Sequence, residues 1–225
     1  MKKVLFVVVL AFFSFNSFSQ GSKVKPEYNF AGSLKFTTTS TSKGKAMTST
    51  SLWYFPVGNE MIFGTEMLMG DPKGRNVKGI MDYANKTMIM FMDEQKMIMG
   101  LPFDMEKTMK EMQNDPKNKI TPPKKTGRSK KVMGYACEEW VSDGTDYLSS
   151  MWISDKLPIV STNFYKIMAQ QLYKSTGTPM PADMRGIPLE IDTHMKKTGD
   201  KYVMICTEIS NKPTKFSTAG YKIMN

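Results

Sequence analysis

Hydrolytic chemistry needs a nucleophile with a base beside it, or side chains that hold a metal ion. This chain has one histidine, His194. Glu190 and Asp192 precede it at alternate positions, so on a strand the three side chains share a face. Such a row can touch one metal ion, but a polar strand face is more commonly just wet, and we assign no metal to it. Glu138 and Glu139 are adjacent, point to opposite faces of a strand, and cannot act together as an acid/base pair. The sequence contains no G-x-S-x-G, no H-E-x-x-H, no C-x-x-C and no glycine loop that would cradle phosphate. The expectation is a non-enzyme with no catalytic residue, metal or cofactor.

Softer chemistry is better represented. Methionine occurs 22 times in 225 residues. Met88, Met90 and Met92 alternate on one stretch, and Met97 and Met99 alternate on the next, across the polar turn 93–96. Methionine packs irregular cores, lines adaptable apolar binding surfaces, and offers a thioether to Cu(I). Ile89, Phe91 and Ile98 fill the intervening positions, so both faces read as buried. Core packing, a deformable cavity for an apolar ligand, and copper all remain open on these residues. For a cavity, the candidate lining is Met88, Met90, Met92, Met97 and Met99 with Trp140 and Trp152. The two cysteines, Cys137 and Cys206, either pair or stay as buried free thiols. A bond between them would close a long loop and constrain the unfolded chain by roughly 4 kcal/mol.

The compartment follows from the first residues. Lys2 and Lys3 precede the apolar run Val4 to Phe15, and Ser17 and Ser19 flank Phe18 before Gln20. That is the pattern of a secretory signal peptide, too short to span a bilayer. The expectation is a leader over 1–19 and a single exported domain over 20–225. It would be periplasmic or secreted, not membrane-spanning, and not lipid-anchored, because neither cysteine lies near residue 20. Without the leader's two lysines, the net charge falls from +10 to +8. In an exported protein that charge suits anionic envelope surfaces and does not argue for nucleic acid. Lys124, Lys125, Arg128, Lys130 and Lys131 concentrate it in a Pro- and Lys-rich stretch, 117–131, read as a surface loop.

These residues must be positioned mainly by strands. Tyr28, Phe30, Leu34 and Phe36 lie at even spacing in 27–39, and period-two segments continue through 48–55, 60–69, 77–83, 86–92 and 97–101. Strands then resume at 132–141 and 147–153. Asp143-Gly144 is a hairpin signal that would set Trp140 opposite Tyr147 and Tyr135 opposite Trp152. A last hairpin turns at Gly199-Asp200, with Leu189 and Ile191 facing inward on one strand and Val203, Ile205, Thr207 and Ile209 on the other. Two helices are expected. One follows Asp104 as N-cap, with Met105, Met109 and Met112 on one side; the other covers 162–174, with Phe164, Ile167, Met168 and Leu172 as its apolar stripe. Short turns make the strands antiparallel. The fold class is α+β, a curved, mainly antiparallel half-barrel of about ten strands with two short helices on its concave side.

Several segments resemble a known family. These are Gly134-Tyr135-Ala136-Cys137-Glu138-Glu139-Trp140, Met151-Trp152-Ile153-Ser154-Asp155-Lys156-Leu157-Pro158, Gly186-Ile187-Pro188-Leu189-Glu190 and Phe216-Ser217-Thr218-Ala219-Gly220-Tyr221-Lys222. They are similar to domain of unknown function 4412, found in exported Gram-negative proteins. The resemblance implies an architecture like the lipoprotein carriers LolA and LolB and carries no established activity. Cys137 falls where that family often has a cysteine, while Cys206 has no regular counterpart. Two functions follow as expectations: binding of a lipid or acyl chain, or an envelope interaction module whose basic stretch meets an acidic partner or membrane surface.

Overall fold

The computed structural model describes residues 24–68, 76–104, 107, 121–160, 181 and 184–224. Among them thirteen strands form one sheet. They are β1 (Glu27–Ser42), β2 (Lys45–Pro56), β3 (Ile62–Leu68), β4 (Asn76–Asp82), β5 (Thr87–Met92), β6 (Met97–Pro102), β7 (Lys124–Val132), β8 (Tyr135–Asp143), β9 (Tyr147–Ser154), β10 (Ile187–Met195), β11 (Lys201–Ser210), β12 (Thr214–Ser217) and β13 (Lys222–Met224). Neighbours run β13-β6-β5-β4-β3-β2-β1-β11-β10-β9-β8-β7, with β12 paired to the start of β1. The sheet is open, curved and antiparallel, apart from the parallel pairing of β13 with β6. Both expected helices, following Asp104 and over 162–174, lie outside the described residues. At the first of them Asp104 does accept the Lys107 backbone N–H on its Oδ1 at 3.1 Å, the N-cap contact expected of it.

Several expectations need correction. The break expected over 40–46 shrinks to the two-residue turn Lys43-Gly44, whose φ angles of 50° and 75° suit a tight hairpin. The Ser/Thr run does not end the strand, because β2 and β11 pair with it on both sides, for example Thr39 with Thr48 and with Val203. Within the basic stretch, 124–131 is instead part of β7, the edge of the sheet, and the turn Met133-Gly134 (φ 51° and 84°) separates it from β8. Lysines on an edge strand discourage pairing with a further chain, which is why a strand here reads like a loop. In the β8–β9 hairpin Trp140 faces Met151, not Tyr147, and Trp152 faces Glu139, not Tyr135. Gly144 donates its N–H to Tyr147 O at 2.9 Å, so the chain turns at Thr145-Asp146 rather than at Asp143-Gly144. The neighbouring hairpin holds that register: Lys196 Nζ binds the Asp143 carboxylate at 2.5 Å and Gly144 O at 2.8 Å.

The curvature of the first half has a covalent cause. β12 lies beside β1, β13 lies beside β6, and only residues 218–221 join them. A flat sheet would separate these two strands by seven spacings, about 34 Å at ~4.8 Å each. Five extended Cα steps reach only about 17 Å. Strands β1–β6 must therefore roll toward one side, and their rings report it. Phe216 of β12 lies 4.8 Å from Tyr54 on β2 and 5.9 Å from Phe91 on β5, centroid to centroid. Tyr28, Phe30, Ile62, Ile80, Ile89 and Ile98 complete this closed core. A bulge at Ala31, between the pairs Phe30–Pro56 and Gly32–Phe55, switches the side that β1 buries. Leu34 and Phe36 therefore join a second cluster with Phe55, Leu157, Ile159, Leu189, Met204 and Cys206.

A second bulge, at Thr207, changes the phase of β11, which pairs Glu208 with Lys35 but Cys206 with Phe36. Met204 and Cys206 are consequently the buried residues there, and Ile205, expected inside, is 41% exposed.

The strap between β12 and β13 is held by charge. Tyr221 donates its hydroxyl to Asp93 Oδ1 at 2.5 Å, and Lys78 reaches Asp93 Oδ2 at 3.0 Å. Burial pushes the Asp93 carboxyl up, but the hydrogen bonds from Tyr221 and Lys78 and the charges of Lys78 and Lys96 outweigh it and hold it below its ordinary value. A carboxyl depressed in the folded state stabilises fully above its unfolded pKa and loses that contribution as pH falls through the folded value. Below about pH 4 the strap is expected to loosen. Protection of the amides at 218–224, relative to their intrinsic exchange rates, should fall there, and Asp93→Asn should remove the pH step.

Candidate functional site

Strands β4, β5 and β6 sort their side chains completely. Ile80, Ile89, Phe91 and Ile98 point into the closed core and are almost inaccessible. Met81, Met88, Met90, Met92, Met97 and Met99 occupy the alternate positions, and all are half-buried. The register opposes them directly across the strands: Met81 with Met88, Met90 with Met99, and Met92 with Met97. The five methionines proposed from the sequence thus share one side of the sheet, but only the opposite side is sealed.

The methionine side continues across the sheet. Successive pairings place Ile209, Leu34, Trp53, Thr65, Gly79, Met90, Met99 and Met224 in one transverse row. Phe63, beside it, opposes Met81 and packs edge-on against Trp53 at 5.7 Å. Gly79 leaves a dent between Thr65 and Met90. A Cβ built there would meet nothing nearer than 3.6 Å, so the backbone does not require glycine at this position.

Trp53, Phe63, Gly79 and Met81 belong to this surface and were not anticipated. The alternation Gly79-Ile80-Met81 carried the signal, since it continues the Met/Ile sorting of β5.

The other anticipated residues scatter. Following the register from Leu34 through Thr38, Met204, Ile191 and Met151, Trp140 lies on the methionine side, but eight strand positions from Met90 and buried. Trp152 opposes Glu139 and Glu190 and packs, half-buried, against the second core cluster, far along the sheet from Met90. Lys130 sits over the Trp152 ring, 4.3 Å from its centroid, and binds Glu190 at 2.7 Å. Arg128 forks onto Glu139 through Nε and Nη2, each at 2.5 Å, while Thr126 and Ser150 donate to the same carboxylate. Burial raises the Glu139 carboxyl, yet the bonds from Thr126, Arg128 and Ser150 with the Arg128 charge bring it below its ordinary value. Lys125 pairs with Glu138 at 2.7 Å. Three of the five basic residues are therefore neutralised within the fold, and Lys124 and Lys131 are exposed.

His194 is exposed and pairs in register with Leu148 and Lys201. Among the described residues no three His, Cys, Asp or Glu side chains converge to hold a metal ion. No described helix is long and apolar enough to cross a membrane.

Cys137 and Cys206 are buried free thiols in the second core cluster. Burial raises both, Cys206 to about 11, so both are protonated at neutral pH and poor nucleophiles. Iodoacetamide at pH 8 is expected to leave both cysteines unmodified in the folded protein and to label both after unfolding. Mass spectrometry with and without guanidinium checks this, and labelling of the folded protein would refute it.

No curated protein matches the sequence. Among solved structures the chain is similar to PNGF-II in space group C2, at 11% identity and a TM-score of 0.41 over 86% of this chain and 30% of that one. It thus spans less than a third of PNGF-II. It is also similar to the MucA/MucB complex structure of Pseudomonas aeruginosa, at 10% identity and a TM-score of 0.38 over 83% and 52% of the two chains. It is similar, too, to a LolA superfamily protein from Nitrosomonas europaea, at 10% identity and a TM-score of 0.34 over 80% of this chain and 84% of that one. The model of the family described as domain of unknown function (DUF4412) matches residues 30–218, and the chain belongs to that family.

Proposed function

We propose that this is a non-enzymatic binding protein of the cell envelope, exported by its leader 1–19, that takes a lipid or acyl chain on the methionine side of β4–β6. One observation carries the reading. Met81, Met88, Met90, Met92, Met97 and Met99 are half-buried on one side while the isoleucines between them are sealed on the other. Flexible thioether side chains repack around varied apolar shapes, and Gly79 leaves room for a chain to lie against the backbone. Trp53 and Phe63 extend the same surface toward the centre of the sheet. The other expectation, an anionic surface met by the basic stretch, carries less weight because Lys125, Arg128 and Lys130 already have carboxylate partners.

Native mass spectrometry with lipid extraction tests the proposal, together with titration of a fluorescent fatty acid. Wild type should bind the probe. Met90→Lys, which puts a charge in the middle of the row, should weaken binding at least tenfold. Gly79→Val should weaken binding while raising stability by roughly 0.5–1 kcal/mol, because a strand-interior glycine is unfavourable and the site has space. Absence of any bound lipid or probe in the wild type would overturn the reading. So would a Met90→Lys variant that binds normally.

A further inference from the structure

We infer that Met88, Met90 and Met99 form a binding site for a soft monovalent metal ion, Cu(I), on the open side of β5 and β6. The starting observation is the sorting. Within β4, β5 and β6 every methionine lies on one side, and isoleucine and phenylalanine take the other. An apolar surface alone does not require this, because leucine or valine would serve it and valine suits a strand better. What distinguishes methionine is its sulfur.

The geometry brings those sulfurs together. Met90 and Met99 are directly opposed, and directly opposed residues place their Cβ atoms about 4.5–5.5 Å apart. Met88 is two positions along β5 from Met90, on the same side, and Met81 opposes Met88. Flexible side chains at these separations can turn three thioethers toward one point. Half-burial leaves the sulfurs reachable while keeping a dry floor beneath them.

The charge pattern selects the ion. The register neighbours of these methionines on this side are Gly79, Phe63, Leu101 and Met224, none of them ionisable. Lys222 stands at the rim, opposite Met97. A site of neutral sulfur donors without a carboxylate does not suit Mg²⁺, Ca²⁺ or Zn²⁺, which prefer oxygen, nitrogen or thiolate ligands, whereas Cu(I) favours thioethers. The inference does not rest on the apolar-ligand proposal, since sulfur donors and an acyl chain make separable demands on the same side chains.

The experiment exploits that difference. Met90→Leu/Met99→Leu removes two sulfurs and keeps the surface apolar and of similar volume. Purified protein would be titrated anaerobically with Cu(I) against a chromogenic Cu(I) chelator, and with Ag(I) while following methionine methyl signals by NMR. Wild type is expected to take up about one ion with shifts at Met88, Met90 and Met99. The double variant should bind at least tenfold more weakly while retaining its melting temperature. Equal Cu(I) binding by wild type and double variant would overturn the inference. So would binding that survives the methionine changes but vanishes in Cys137→Ala/Cys206→Ala, because it would then belong to the thiols. Cu(I) uptake by a wild type that binds no fatty acid would sink only the earlier proposal.

Discussion

Phe216→Ala is expected to destabilise the protein by about 3–5 kcal/mol, the range for removing a buried phenylalanine ring from a packed core. Phe216 closes the roll formed by β1–β6. Its ring lies 5.1 Å from Phe30, 4.8 Å from Tyr54 and 5.9 Å from Phe91, so truncation empties a space bounded by three strands. The cavity is hard to refill, because β12 is fixed by pairing with β1 and by the bond from Thr218 N–H to Pro26 O at 3.0 Å. Phe216→Leu, closer in volume, should lose less than half as much. Urea unfolding curves measure both. The pattern also predicts where the protein loosens, with hydrogen exchange rising first in β12, the strap and β13. A loss under about 1 kcal/mol for Phe216→Ala would mean that the ring does not close this core.

Gly186→Ala is expected to cost roughly 3 kcal/mol or more, from steric overlap added to backbone strain. Gly186 precedes β10 at φ 121°, a conformation that side chains avoid. A Cβ there would lie 2.3 Å from Ser154 O and 2.6 Å from Ser154 C, and both are backbone atoms of β9 that cannot swing aside. The change would push apart the pairing of Ile187 with Ser154 that starts the β9–β10 ladder. Gly199→Ala is the control. Gly199 also has positive φ, 71°, but nothing lies within 4 Å of its hypothetical Cβ. It should cost only about 1–2 kcal/mol, the ordinary penalty for a left-handed residue. Similar losses at the two sites would show that contact with β9 is not what demands glycine at 186.

The strands were legible where residues alternate and turns are short. β3 to β6 fall within two residues of the expected bounds, because Ile89, Phe91 and Ile98 report the core side directly. β7 was missed because its lysines look like a loop, although Glu138 and Glu139 on β8 and Glu190 on β10 neutralise three of its basic residues. The β8–β9 register slipped because the Asp-Gly signal is local, while Lys196 from a distant hairpin decides where the chain turns. Ile205 was placed inside because the bulge at Thr207 has no mark in the sequence. At the candidate site, the methionines of β5 and β6 could be named from alternation alone. Trp53 and Phe63 could not, since they come from strands 35 and 25 positions earlier than Met88 and join the row only through register. Trp140 and Trp152 were drawn in by their chemistry and excluded from that patch by topology.

The partners of β1 have a consequence for how the chain comes together. Its central strand bonds with β11 and β12, and contacts such as Thr207 to Lys35 and Thr218 to Lys25 join residues 172 and 193 positions apart. A polypeptide that emerges N-terminus first therefore cannot complete its middle strand until its last residues arrive. Until then the hollow that Phe216 fills stays without its plug, and chains that stop before β12 should lack a stable tertiary structure. Such long-range closure slows folding and keeps the unfinished chain loose until the last strands pair.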